Sequence, residues 1–333
     1  MVESTVNRHR PPIRDARGPR HAALKPNRRR FVRRFIRRHR RTAGVVSLAF
    51  AVAFTWLAFS LGGALLNPAL GTSVGSRFAE WAREHGGSGI VNWAENEWYK
   101  HHPPPVGGTL PLGAIQNAPA NTPKIKTSVH YLPTPNPVVP FASPALPGEG
   151  DWRPVGRRVD GIPAIYETTL RPDSVHTSYV AGVAWIDTKL LGATLYSGST
   201  IPGGGPFPNS APIKTPAART LVAAFNAGFL MSNANGGYYT AGRTEIPLVQ
   251  GAASFVVYRD GSANIVTWGG GNTLNHSVVS VRQNLDLLVM NGRPAPGLQA
   301  NDTTKWGFTL GNAVYVWRSG LGITANGALV YVA

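Results

Sequence analysis

LVAAFNAGFL, residues Leu221–Leu230, is the stretch on which the reading of this chain turns. It is an apolar run of strand character, interrupted by one polar residue, Asn226, with Gly228 close behind. A second run repeats the pattern: VYVWRSGLGIT, Val314–Thr324, in which Arg318 is followed by Gly320 and Gly322. A glycine beside a polar strand end lets the backbone turn sharply or lie against a ligand. Neither run, nor the chain around them, shows long helical periodicity. Residues 151–333 are therefore expected to form an α+β domain with a strand-rich, mixed or antiparallel sheet and helices in the connections.

Working outward, RRVDGIPAIYETTLRP reads as a first hairpin, Val180–Ile186 as a buried strand and Leu190–Tyr196 as another. Ala253–Tyr258 and Ala263–Trp268 flank the turn Arg259-Asp260-Gly261-Ser262 and read as a hairpin. VVSVRQNLDLLVMNGRP alternates as one long strand. Val281, Gln283, Leu285, Leu287 and Val289 share one face, and Arg282, Asn284, Asp286 and Leu288 the other. A last hairpin joins Val314–Ile323 to Leu329–Ala333. The sequence ends inside that apolar strand, so a covering element is expected to follow it in a longer chain.

The 333 residues carry a net charge of +17, but unevenly. Residues 1–42 hold 15 Lys/Arg against 2 Asp/Glu; the remainder hold 18 against 14. A basic tail abutting an apolar run indicates topology control at a membrane, with anionic lipid as the tail's partner and no nucleic acid expected. Residues 43–66 carry no charge, and 24 helical residues span about 36 Å, enough to cross a hydrocarbon core of about 30 Å. The expectation is an uncleaved signal anchor in a single-pass cell-membrane protein, its N-terminus cytoplasmic and its C-terminal domain extracytoplasmic. Residues 67–102 hold two amphipathic stretches joined at Gly86-Gly87. Trp81, Trp93, Trp98 and Tyr99 suit either the headgroup layer or packing on the following domain. Residues 103–150 contain 12 of the 28 prolines, all before residue 148, and read as a semi-extended spacer reaching on the order of 100 Å.

Chemistry is sparse. There is no cysteine, hence no disulfide, thiolate nucleophile or Cys-based metal site. HExxH, P-loop and GxSxG patterns are missing. The globular part holds two histidines, His176 and His276, so a metal site is not expected and no cofactor is assigned. Of its nine acids, Asp286 draws attention because a carboxylate in an apolar strand must be paired or lie in a cleft. It is either the ion-pair partner of Arg282 or a catalytic group. Glu245, beside Arg243, is a second candidate acid or base.

FNAGF at 225–229, the GGYY loop after it, ASFVVYRDGSANIVTWG, VRQNLDLLVMNGRPAPG and above all WRSGLGITANGALVYV at 317–332 resemble the phosphodiester glycosidase family, including its exopolysaccharide-related bacterial branch. The resemblance covers roughly residues 150–333. It carries Asn226, Gly228 and Phe229 onto the family's Asn-Gly-Gly-Phe motif, with Ala227 replacing a glycine, and Arg318, Ser319 and Gly322 onto its Arg motif. It implies hydrolysis of glycosyl-1-phosphodiesters in envelope or exopolysaccharide metabolism. Arg318, Asp286 and Asn226 would be catalytic; Gly228, Phe229, Ser319, Gly322, Glu245 and Tyr239 would bind substrate. It also implies a further helix and an Asp/Gly-rich loop beyond the last hairpin. Arg318 would stabilise the departing phosphate, and a carboxylate would face an oxocarbenium-like centre. The alternative expectation is a non-catalytic envelope-glycan-binding or scaffold module that keeps the fold.

Overall fold

The computed structural model describes residues 28–119, 128–198, 202–300, 302–307 and 316–333. Residues 1–27 of the basic tail, part of the Pro-rich segment and Val314-Tyr315 of the second run lie outside the described residues. The chain forms two compact units, residues 1–81 and 82–333.

In the first unit, helix α1 runs over Arg28–Leu66. Its Thr42–Leu66 portion is long and apolar enough to cross a membrane, and only its end, at Ala64, is buried against protein. The chain then turns through Pro68–Leu70 into α2, Val74–Ala82. Helix α2 begins on a reciprocal pair: Ser76 N–H donates to Ser73 Oγ and Ser73 N–H to Ser76 Oγ, both 3.1 Å. It is tied to α1 by Arg77, which donates to Leu65 O, and by Trp81 Nε1, which donates to Ser60 Oγ at 3.0 Å.

The second unit opens with a π-turn, Arg83–Gly87, broken where Gly86 takes φ +83°. Helix α3, Ser88–His101, follows and is held by Arg83 on the Glu95 carboxylate at 2.6 Å. The two amphipathic stretches are thus two helices, divided where the glycines predict.

Two five-stranded antiparallel sheets make the body. The first has the order β1 (Arg153–Val159), β2 (Ile162–Leu170), β3 (Ala181–Ile186), β12 (Leu329–Val332), β11 (Gly320–Ile323). The second has the order β5 (Arg243–Ile246), β4 (Tyr238–Thr240), β8 (Val278–Gln283), β6 (Ala253–Tyr258), β7 (Ala263–Thr267). Strands β9 (Val289–Met290) and β10 (Arg293–Pro294) form a separate ribbon, and α4 (Thr215–Ala218) and α5 (Thr303–Trp306) are single turns. This is the expected α+β class, and every strand pair is antiparallel.

Side-chain parity explains how the sheets are covered. Ile165 pairs with Ile186, and Tyr166 with Trp185. One face of the first sheet therefore carries Ile165, Ile186 and Leu329, which pack with Phe255 and Ile265 of the second sheet. The opposite face carries Tyr166 and Trp185, packed with Trp152 and with Leu132 from the Pro-rich segment. The second sheet's far face is closed by Val256, Trp268, Val278 and Val281.

Several expectations are corrected here. Residues 128–150 of the Pro-rich segment are not a free spacer. Leu132 N–H donates to the buried Asp187 carboxylate at 2.7 Å, Trp152 Nε1 donates to Asn136 O, and Val138 N–H donates to Gly150 O. The segment covers the Tyr166–Trp185 face, whose large apolar area would otherwise meet water. Leu190–Tyr196 is not a strand; its opening residues turn back on the Asp187 carbonyl. The long alternating strand ends at Gln283, because Leu285 adopts φ +55° and breaks the pleat.

Candidate functional site

Leu221–Leu230 is not a strand either. Leu221 N–H closes the α4 turn on Ala217 O, and further on the main chain is held by side chains rather than a ladder. Phe229 N–H donates to Asn284 Oδ1 at 3.0 Å, and Phe229 O accepts from Arg282 Nη2. Backbone groups satisfied in this way leave no reason for a neighbouring strand. Gly228 makes the approach possible: its φ is +120°, and a Cβ there would sit 2.9 Å from Asn284 Oδ1.

The second run behaves similarly. Residues 316–319 are irregular, and β11 starts after Arg318, not before it. The two runs meet. Ser319 Oγ donates to Asn226 Oδ1 at 3.1 Å, and Tyr331 OH donates to the same oxygen at 2.8 Å. Phe225 stacks on the Tyr331 ring at 4.8 Å between centroids. Arg318 lies over the Phe229 ring, its Cζ 5.3 Å from the centroid. Burial pushes the Arg318 guanidinium down, and the Tyr99 phenol of α3 acts in the opposite direction.

Beside this junction is a cleft of about 180 Å³, lined among others by Tyr196, Ala227, Phe229, Leu230, Tyr238 and Arg282. Tyr238, Arg282 and Phe255 stand side by side across β4, β8 and β6, so all three point to the face that carries the cleft. Arg282 is only 6% exposed. Its guanidinium donates to the Gln283 and Phe229 carbonyls, and no carboxylate pairs with it among the described residues. Burial pushes it down from its ordinary value, with Tyr238 acting against the shift. Tyr238 OH shares a 2.7 Å hydrogen bond with the buried Ser197 hydroxyl, and burial pushes the phenol up.

The remaining sequence-derived candidates lie elsewhere. Tyr239 is one residue out of phase with Tyr238 and packs against Val281 and its neighbours on the far face. Gly322 is a ladder residue opposite Val330. Asp286 forms no pair with Arg282; its N–H donates to Lys305 O beyond the Leu285 turn. Glu245 is bound by Arg243 at 2.8 Å, and Arg243 also donates to the carbonyls of Gly204 and Pro206 and covers the Phe207 ring. Glu245 therefore clamps a loop. No carboxylate lines the cleft among the described residues. Arg282, Asn284 and Tyr331 were not selected from the sequence, whereas Tyr238 was a second-tier candidate for stacking on a sugar ring, beside Tyr239 and Trp268. Arg282 was noticed only as a partner for Asp286, although an arginine inside an apolar strand is itself a signal.

The donors gathered here are guanidinium, phenol and amide groups, which suit an anion carrying several acceptor oxygens. No cluster of His, Asp and Glu with metal-holding geometry occurs among the described residues. Comparison with protein-family models, with curated proteins and with solved structures finds no match for this chain.

Proposed function

We propose that the second unit binds an anionic glycan, with a sugar phosphodiester as the ligand class, and that the apolar part of α1 holds it to a membrane as a single-pass protein. The observation that supports this reading is Arg282: a buried guanidinium, without a carboxylate partner among the described residues, facing a cleft. Burying a charge is costly unless it is paired, and a ligand anion would supply the missing pairing. The cleft is smaller than the roughly 300–1,000 Å³ of sites for drug-sized ligands. It suits one phosphate or one sugar ring, with Arg318 and Asn226 at its rim for the rest of a diester. The basic tail supports a cytoplasmic N-terminus and an extracytoplasmic second unit.

Hydrolysis of the same phosphodiester is the second reading. The Asn226–Ser319 hydrogen bond favours it, because it joins the two motifs on which the family resemblance rests. The lack of a carboxylate on the cleft among the described residues favours binding over turnover.

Both readings are tested on the full chain in detergent, by titration with a glycosyl methyl phosphodiester and with the neutral methyl glycoside. Saturable binding of the first alone is expected. Arg282→Met should weaken it by about tenfold or more, the worth of a charge-assisted hydrogen bond. Arg318→Met should weaken it without loss of the folded state, because its guanidinium lies over the Phe229 ring and outside the sheets. Equal affinity for the two ligands would reject the anion site. Release of free sugar that disappears in Asn226→Ala and Arg318→Ala would establish the hydrolase instead.

A further inference from the structure

Helix α3 presents an apolar stripe to solvent. Ile90 is 74% exposed, Trp93 64% and Trp98 60%. At 100° per residue, Ile90, Trp93, Ala94 and Trp98 fall on one side of the helix. The other side carries Glu95, which holds Arg83, and the half-buried Tyr99. Trp98 is fixed by stacking on the His102 ring, 3.7 Å between centroids and 13° from parallel. Glu97, which falls within the stripe, is neutralised by Lys100 at 2.6 Å. Rigid, half-amphipathic indoles with a compensated charge between them match the chemistry of a bilayer headgroup layer.

Covalent reach supports the same occupant. Trp81 is bonded to Ser60, in the last two turns of the apolar helix. Six residues, Ala82–Gly87, separate Trp81 from Ser88, a covalent tether of at most about 25 Å. The Pro-rich segment adds no distance, because it follows α3 and folds onto the first sheet.

We infer that α3 is an interfacial helix whose Ile90–Trp93–Trp98 stripe lies in the headgroup layer of the bilayer that α1 spans. The inference rests on α1 being a membrane span, and the experiment separates the two.

The chain has no cysteine, so a single introduced one is the sole attachment point for a nitroxide. The full chain is placed in lipid nanodiscs with a label from Ile90→Cys, Ala94→Cys, Ala53→Cys in α1, or Thr273→Cys in the exposed loop after β7. Collision with oxygen, which concentrates in lipid, is compared with collision with a water-soluble nickel chelate. The expected result is strongest oxygen preference at position 53, intermediate preference at 90 and 94, and nickel preference at 273. Nickel preference at 90 and 94 with position 53 still in lipid overturns the interfacial helix and leaves the span intact. Nickel preference at position 53 overturns both. Dipolar broadening between labels at position 94 would assign the stripe to a second copy of the chain and also overturn the inference.

Discussion

Asn226 places both of its structural hydrogen bonds on one atom. Oδ1 accepts from Ser319 and Tyr331, and no partner for Nδ2 occurs among the described residues. Its amide donors are therefore available to an acceptor oxygen on a ligand, and Tyr331 acts by orienting them. Tyr331→Phe keeps the ring that stacks on Phe225 and removes one bond to Oδ1. A net hydrogen bond is worth about 1 kcal/mol, so affinity for the phosphodiester should fall about fivefold. The thermal midpoint should change little, and ligand titration beside a melting curve checks both. An unchanged affinity would mean that Asn226 is held by Ser319 alone. At this scale the sequence was legible where a residue type is unusual for its setting. Asn226, Arg318, Gly228 and Phe229 were singled out and are brought together. Tyr239 was chosen over Tyr238 because parity along a three-residue strand cannot be read without its register.

Among elements, the hairpins were the most legible. β6 and β7 run as expected because a Gly-containing turn separates two apolar runs, and the local signals suffice. Leu221–Leu230 has the same composition but no strand to pair with, and side chains from β8 and the residue after it take its backbone groups. The Pro-rich element is fixed by a buried ion pair. Arg171, at the end of β2, donates to both Glu149 carboxylate oxygens and to the carbonyls of Ala142 and Pro144. Burial alone would raise the Glu149 carboxyl. Hydrogen bonds from Arg171 and from the Leu146 and Arg171 N–H groups outweigh burial and hold it below its ordinary value. A folded-state value below the unfolded one stabilises the fold above the ordinary carboxylate range, and that contribution is lost as pH falls through the folded value. Stability should therefore drop on acidification below about pH 4.5. Arg171→Ala leaves a buried carboxylate unpaired and should cost about 3–5 kcal/mol at neutral pH, with a smaller acid-dependent loss than in the unaltered chain. Urea midpoints at pH 7 and pH 4, followed by near-ultraviolet circular dichroism, test the sign.

For the whole molecule, the consequential finding is that the second unit begins before the Pro-rich segment and includes it. Tyr166 and Trp185 are buried in a cluster to which the Pro-rich segment contributes Leu132 and Val138. Deleting residues 128–147 would expose that face, leave the Asp187 carboxylate buried without its Leu132 donor and remove the Arg171 carbonyl partners. The second unit should then lose its cooperative unfolding transition. A free spacer would tolerate the deletion with no change in midpoint, so one melting curve decides between the two descriptions.

The sequence by itself determined the properties that depend on neighbours along the chain. These are the apolar length of α1 beside its basic tail, the glycine break between α2 and α3, the strand-rich class, and the hairpins whose turns lie within a few residues. Tertiary structure alone decided what depends on distant partners. Leu132 meets Asp187, and Asn226 meets both Ser319 and Tyr331, across separations of 55, 93 and 105 residues. The same holds for Arg282, which could be read as the partner of Asp286 until the left-handed turn at Leu285 ended the strand. A proline-rich stretch has the same composition whether it is extended in solvent or laid across a sheet. Which of these occurs is set by the uncovered Tyr166–Trp185 face, where burial of apolar surface outweighs the entropy of a free linker.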